Sequence, residues 1–199
     1  MRISQIILNE KILNIRNKSN KQKYISRIWN LLQKSYEPVG GFKSASSPEE
    51  LLNTVGLWKI ILRNGNISAV RIFSEKFGNK SIALASDGSI QGKKDVRMIM
   101  KDDIVRGRSW CETSDVPEMI CKRMGAEPIP SRFASLLTGK NILSRDEDGY
   151  HYTRLIGGVP HTKILYGTPI LSLNDLNAFE KYGIKMEDLP NNIKINNSL

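Results

Sequence analysis

Apolar positions along this chain recur first at helical and then at strand spacing, and each change of period falls at a cluster of turn residues. Residues 3–15 carry apolar side chains at 3, 6, 7, 8, 12, 13 and 15. They predict a strand over residues 3–8, or a strand plus a turn, and leave a helix open. Asn17-Lys18-Ser19-Asn20 is a polar break that offers N-caps. Residues 21–36 then read as a helix, with Tyr24, Ile25, Ile28, Trp29, Leu31 and Leu32 on one broad face. Pro38 and Gly40-Gly41 end it. Ser47-Pro48-Glu49-Glu50 predicts a helix start, with proline in the first helical position and acids in the first turn. Leu51, Leu52 and Val55 give that helix its apolar contacts, and Gly56 stops it.

Residues 57–63 and 67–74 predict two strands joined by Asn64-Gly65-Asn66, a hairpin signal because Asn and Gly accept positive φ. A second turn leads to a buried strand at Lys80–Ser86, with the apolar run Ile82-Ala83-Leu84-Ala85. A glycine turn, Asp87 to Gly92, then opens a helix over 93–105, with Val96, Ile99, Met100 and Ile104 on one face. A strand at 109–114 and a helix at 115–124 follow, closed by Gly125. A crossover helix of this kind is how a chain reaches a parallel neighbour.

Past Pro130 the pattern loosens. Residues 131–137 predict a short helix capped by Ser131 and ended by Gly139, and residues 141–149 a charged loop. Residues 150–156 and 161–166 predict a second hairpin around Gly157-Gly158-Val159-Pro160. Residues 172–182 predict a short helix, and the Asn-rich end from Pro190 is expected to fray. Together these elements predict one α/β (α+β) domain over 1–199: a mixed, mostly antiparallel sheet flanked by helices, with an N-terminal helical extension. Its core spans about residues 20–170, between a basic arm at 1–19 and a C-terminal tail at 171–199.

Composition narrows the class. With 199 residues, 40% hydrophobic and 25% charged, the chain reads as an ordinary soluble globular protein. No apolar run approaches the roughly 20 residues of a membrane span, so no membrane partner is expected. The first residues turn polar too soon for a signal peptide, which points to a cytoplasmic-type protein. Cys111 and Cys121 have no CxxC spacing and no nearby histidine pair. They read as reduced, buried thiols and not as a zinc site, and no metal is expected.

Net charge is +10, and residues 1–47 hold nine Lys/Arg against Glu10 and Glu37. Such a flank suits an acidic protein, nucleic acid or an anionic cofactor, or is a solvated helix face. The glycine turn before residue 93 carries the clearest mechanism. Unpaired N–H groups at a helix start suit a phosphate or pyrophosphate. His151 and His161 are the two histidines and fall on opposite strands of one predicted hairpin. A facing pair would suit a metal or a proton relay, but no carboxylate or cysteine partner is evident in range.

The order of meander, glycine turn, helix, parallel strand, helix and closing hairpin over residues 57–166 resembles the GCN5-related N-acetyltransferase (GNAT) superfamily. The nearest local likeness is Ser109-Trp110-Cys111-Glu112-Thr113-Ser114, then Val116-Pro117-Glu118-Met119, then Lys122-Arg123-Met124-Gly125-Ala126. It looks like that family's fifth strand and following helix. The family's pyrophosphate loop reads Gln/Arg-x-x-Gly-x-Gly/Ala. Here Ser89-Ile90-Gln91-Gly92-Lys93-Lys94 has one Gln and one Gly at shorter spacing. The string also looks like GNAT-like proteins of tailed bacteriophages, which would place it in a bacterial cytoplasm or a virion.

The resemblance implies acetyl-CoA lying in a splay between the strands at Lys80–Ser86 and 109–114. Ala85 and Ser86 would end the first of these. Backbone N–H groups at Gln91, Gly92 and Lys93 would hold the pyrophosphate, with charge from Lys93 or Lys94. The alternative is that Gly92 only permits a turn and the lysines are solvated. Acyl transfer to an amine needs a base and an acid for the leaving thiolate. Glu112 is the candidate base, its pKa raised by burial, unless it pairs with Arg106, Arg108 or Lys122. Tyr152 is the candidate acid, with Tyr150 and Tyr166 as alternatives. The competing expectation is a GNAT-like fold without activity, serving as a phage structural or interaction protein.

Overall fold

The computed structural model describes residues 10–75, 79–107, 109–113, 115–180 and 183–196. The strand expected at 3–8 lies outside these residues, as do Arg108, Ser114 and Tyr182. The chain divides into two compact units, residues 1–74 with 82–100, and residues 75–81 with 101–199. Strands in both pair mostly antiparallel and are flanked by helices, so the sheet is mixed and the expected fold class holds.

The first unit opens with β1 (Glu10–Ile15), in the second half of the apolar stretch that pointed to an earlier strand. The helix expected over 21–36 is two pieces, α1 (Lys18–Gln22) and α2 (Ile25–Tyr36). The Asn17 side chain caps α1, accepting from Asn20 N–H at 2.9 Å. Helix α3 (Pro48–Asn53) starts as its sequence predicts, with Ser47 Oγ accepting from Glu50 N–H at 3.2 Å. Strands β2 (Trp58–Arg63) and β3 (Asn66–Ser74) form the predicted hairpin. Its two turn residues, Asn64 at φ 50° and Gly65 at φ 78°, have the signs of a type I′ turn. Next come β4 (Lys80–Ser86) and α4 (Ile90–Val105), and the strand order is β1-β2-β3-β4.

Both faces of this sheet are covered, and β3 is buried from Ile67 to Phe73. On one side Ile28 and Leu32 of α2 and Leu51 of α3 join Trp58, Ile60, Val70 and Ile72 in the core. On the other, Ile61 and Ala69 meet Val96 and Ile99 of α4. The β2–β3 register shifts so that Ile61 faces Ala69 while Leu62 faces Ile67. Ser68 is therefore an extra residue, a bulge that re-aims its side chain and carbonyl.

In the second unit, β5 (Trp110–Thr113) lies parallel to β4, with a register of two pairs, Lys80 to Trp110 and Ser81 to Cys111. Then come α5 (Asp115–Arg123), β6 (Pro128–Ile129), α6 (Ala134–Thr138), β7 (Ser144–Arg145), β8 (Tyr152–Ile156) and β9 (Val159–Gly167). The strands run β5-β9-β8-β7, all antiparallel. The β8–β9 turn is tighter than expected: Gly157 and Gly158 form it alone, and Val159 and Pro160 already pair. Ser131 does not cap α6; it sits in a 3-10 turn, and its hydroxyl donates to Gly149 O at 3.0 Å.

The expected fraying after Pro190 is overturned up to Asn196. Strand β10 (Ile170–Leu171), α7 (Leu173–Glu180) and β11 (Lys194–Ile195) close the unit, β11 parallel to β10. Ile193 is buried with Phe133, Tyr152, Leu171 and Phe179. The buried Asn192 side chain donates to the carbonyls of Pro128 and Gly167 at 3.3 and 3.2 Å. An amide so placed ties the terminal segment to β6 and β9, which no local pattern announces.

Candidate functional site

In the first unit the predicted anion cradle starts from the Ser68 bulge. Its carbonyl accepts from Asp87 N–H at 3.0 Å, which fixes the chain where β4 ends. Asp87 Oδ1 then accepts from Ser89 N–H at 2.9 Å and Ser89 Oγ–H at 2.6 Å. Ser89 caps α4. Its Oγ accepts from Gly92 N–H at 2.9 Å and its carbonyl from Lys93 N–H at 3.0 Å. The helix thus begins three residues earlier than expected, so Gln91, Gly92, Lys93 and Lys94 lie within it and not in a turn.

That corrects the cradle. Two of the three amides assigned to the pyrophosphate, those of Gly92 and Lys93, are already bonded within the chain. The Asp87 carboxylate supplies an anion at the positive end of the helix. The Gln91 side chain is committed too, donating to Asp95 Oδ1 at 2.9 Å. Lys93 and Lys94 are exposed. Gly92 has a packing role: a Cβ there would overlap the Asp87 carboxylate and come within 2.9 Å of Ser68 O. Gly92→Ala, which normally stabilises a helix by ~1 kcal/mol, is therefore expected to destabilise by ~2 kcal/mol through overpacking. Urea unfolding of the variant checks the sign.

Beneath the helix start, Asp95 is the hub of a buried network. Arg63 donates to it through Nε and Nη2, both at 2.8 Å, and Ser68 Oγ at 2.6 Å. Arg63 also meets Glu10 at 2.8 Å. The Arg63 guanidinium holds the Asp95 carboxyl down to about 2, against burial and with help from Ser68 and Gln91.

The edge of β4 is answered by hydroxyls. Tyr36 Oη accepts from Leu84 N–H at 3.2 Å and lies 3.4 Å from Leu84 O. Ser44 Oγ donates to Ile82 O at 3.0 Å, and Ser35 Oγ to Ser86 O at 3.2 Å. Alternate residues of one strand edge thus meet side chains from α2 and the loop after it. Ala85, by contrast, is buried in the core. Tyr36 and Leu84 are 48 residues apart, and no sequence signal linked them.

In the second unit the structure brings Glu112 and Tyr152 together, with Arg154 as a third member that sequence reasoning missed. Tyr152 and Arg154 stand two apart on β8 and so share a face. Tyr152 Oη donates to Glu112 Oε1 at 2.7 Å. Arg154 grips both carboxylate oxygens at 2.6 Å, in a bidentate fork. The Glu112 side chain is 10% exposed. Burial acts against its charge, but Arg154, Lys80 and Tyr152 together hold its carboxyl below the usual range. The expected rise is overturned: the fork outweighs desolvation. Tyr152 moves the other way, its hydroxyl pushed well up by burial and the Glu112 charge.

A second polar cluster corrects the reading of the histidines. His151 does not face His161, which lies opposite Arg154. It has two carboxylates instead, Asp148 at Nδ1 and Glu118 at 3.3 Å from Nε2. The Asp148 bond raises the imidazole pKa against its burial, with Glu118 adding to the rise. Glu118 also meets Lys122 at 2.7 Å and Tyr166 Oη at 3.3 Å. Cys111 and Cys121 are unbridged, their sulfurs 4.0 Å apart; Cys121 is buried and Cys111 only partly so. Among the described residues no group of three or more His, Cys, Asp or Glu could hold a metal ion, and no helix is long and apolar enough to cross a membrane.

No family model matches the chain, and no curated protein does. Solved structures do. Aminoglycoside 6'-acetyltransferase type Ii aligns at a TM-score of 0.51 and 12% identity, over 79% of this chain and 96% of that one. The Escherichia coli ribosomal-protein-S18-alanine N-acetyltransferase aligns at 0.49 and 14%, over 80% and 93%. A Drosophila melanogaster polyamine N acetyltransferase aligns at 0.48 and 13%, over 80% and 100%. At such identities the first of these speaks for architecture alone, and with the strand order above it settles that much: this chain has the GNAT acetyltransferase fold.

Proposed function

We propose that the chain is a divergent N-acyltransferase that moves an acetyl group from acetyl-CoA to an amine. The observation that carries this reading is the edge of β4. On one edge Ile82 O, the Leu84 backbone and Ser86 O are met by hydroxyls of Ser44, Tyr36 and Ser35, past Lys80 and Ser81 where β4 pairs with β5. An extended ligand with amide groups, such as the pantetheine arm of acetyl-CoA, adds to such an edge as a strand would, replacing one set of hydrogen bonds by another. The start of α4 does not fit the pyrophosphate as first pictured, because its own carboxylate and serine are bonded there. The phosphates would fall to the side chains of Lys93 and Lys94. When bound, acetyl-CoA supplies the activated acyl group. Glu112, held ionised by Arg154, is a weak base and acts as a positioning residue. Tyr152 keeps its proton. Rate enhancement would then come chiefly from orienting the amine against the thioester.

One set of observations favours a second reading, a catalytically inactive GNAT-like fold serving as a structural or interaction protein of a phage particle. The helix start is filled, and the two candidate catalytic residues are locked to each other and to Arg154. Calorimetric titration with acetyl-CoA and CoA separates the readings. The transferase reading expects heat from both ligands. It also expects Tyr36→Phe to bind severalfold more tightly, since one competitor for the Leu84 backbone is gone. Absence of heat at millimolar ligand in both proteins removes it.

A further inference from the structure

We infer that the solvent face of α4 is a docking surface for the phosphate backbone of nucleic acid. Between Ile90 and Lys101 the exposed residues of this helix are Ile90, Gln91, Lys93, Lys94, Arg97, Met98 and Lys101. Four are cations and none is an anion. The acids of the same helix are withdrawn: Asp95 and Asp103 are buried, and Asp102 pairs with Arg106 at 2.8 Å. None of the four cations makes an ion pair among the described residues.

A face built only for solubility would not be arranged this way. Lys93 and Arg97, and Arg97 and Lys101, are four apart, and Lys94 and Arg97 three apart, so all three like-charged pairs repel. Lys93 and Lys94 also sit near the positive end of the helix, which the Asp87 carboxylate offsets. A polyanion would relieve these repulsions. Lys93, Arg97 and Lys101 form a row with a step of about 6 Å, which suits a ladder of backbone phosphates.

The wider charge agrees. The first compact unit carries fifteen Lys/Arg against six Asp/Glu, or +9 of the chain's +10. The basic flank at 1–47, the other candidate for an anionic partner, is partly spent on structure. Lys21 is buried over the Trp58 ring and bonded to Thr54 O, and Arg27 donates to Gly65 O at 2.7 Å. No aromatic side chain lies among the exposed residues of the α4 face. Stacking on bases is therefore absent there, and recognition of the backbone is indifferent to sequence.

This inference does not depend on the acyltransferase reading, and its test uses cations other than Lys93 and Lys94, the two assigned to phosphates there. The anisotropy of a fluorescein-labelled single strand, its duplex and the matching RNA is followed at 50–300 mM salt, for the wild type, Arg97→Gln and Arg97→Gln/Lys101→Gln. The expected result is binding of at least one nucleic acid without sequence preference, with log K falling linearly in log salt. The slope should shrink by about one for each cation removed. Arg97→Glu, which creates attractive pairs with Lys93 and Lys101, should melt no lower than wild type while losing affinity, so loss of fold is excluded. No binding at 50 mM salt, an unchanged slope in the double variant, or equal affinity for polyglutamate would each overturn the inference. Heat with CoA that persists in the double variant keeps the two readings apart.

Discussion

Arg154→Met is expected to lower the stability of the protein by ~3 kcal/mol at pH 7, the cost of breaking a buried ion pair from one side. The fork from Arg154 holds Glu112 ionised although its side chain is 10% exposed. Without the guanidinium, desolvation prevails, and the carboxyl pKa moves from below to above its unfolded value. The sign of the pH response then reverses. In the wild type the depressed pKa gives stability that is present above the unfolded pKa and lost as pH falls through the folded one. In the variant the raised pKa costs stability at neutral pH, and the penalty shrinks as the solution is acidified. Urea unfolding at pH 7 and pH 5 measures both. Glu112→Gln/Arg154→Met should cost less than Arg154→Met alone, because no charge is left behind. Equal losses at both pH values would show that Arg154 acts by packing and not by charge.

Asp95→Ala should cost about as much, ~3 kcal/mol, since it strands the Arg63 guanidinium and unbonds Ser68 and Gln91. The same residue sets an acid limit. Its carboxyl is held down to about 2 from an ordinary 3.8. The stability it adds is complete above pH 4 and drains away as pH falls toward 2, about 2 kcal/mol in all. The wild type should therefore lose more stability than Asp95→Asn between pH 4.5 and 2.5, read from melting temperatures across that range. Parallel curves would mean that the buried network contributes nothing through ionisation.

The predicted turns and starts that hold to within a residue are those with a local chemical cause. Asn64-Gly65 turns β2 into β3, and Ser47-Pro48 starts α3. The limits of β4 lie at the turn residues on either side. The start of α4 was misplaced because Gly92 looked like a turn residue. It is a helical glycine, required by close approach to Asp87 and the Ser68 carbonyl, and neither contact follows from spacing. Glu112 and Tyr152 were legible as a candidate base and a candidate acid, but their bond to each other and the downward shift of the Glu112 carboxyl were not. Arg154 lies 42 residues from Glu112 and reaches it only because β9 and β8 follow β5 in the sheet.

Local grammar was therefore within reach of the amino-acid order: where helices and strands fall, which faces are apolar, where the chain turns, and how strongly basic it is. Those properties depend on neighbours a few positions away, whose distance the backbone already sets. Partnership across the fold was not. The Ser68 bulge that steers α4, the tyrosine that answers Leu84, the arginine that keeps Glu112 charged and the asparagine that anchors the C-terminal segment are all long-range contacts. Their energies depend on burial and direction, and these exist only once the strands have been ordered and the two cores closed.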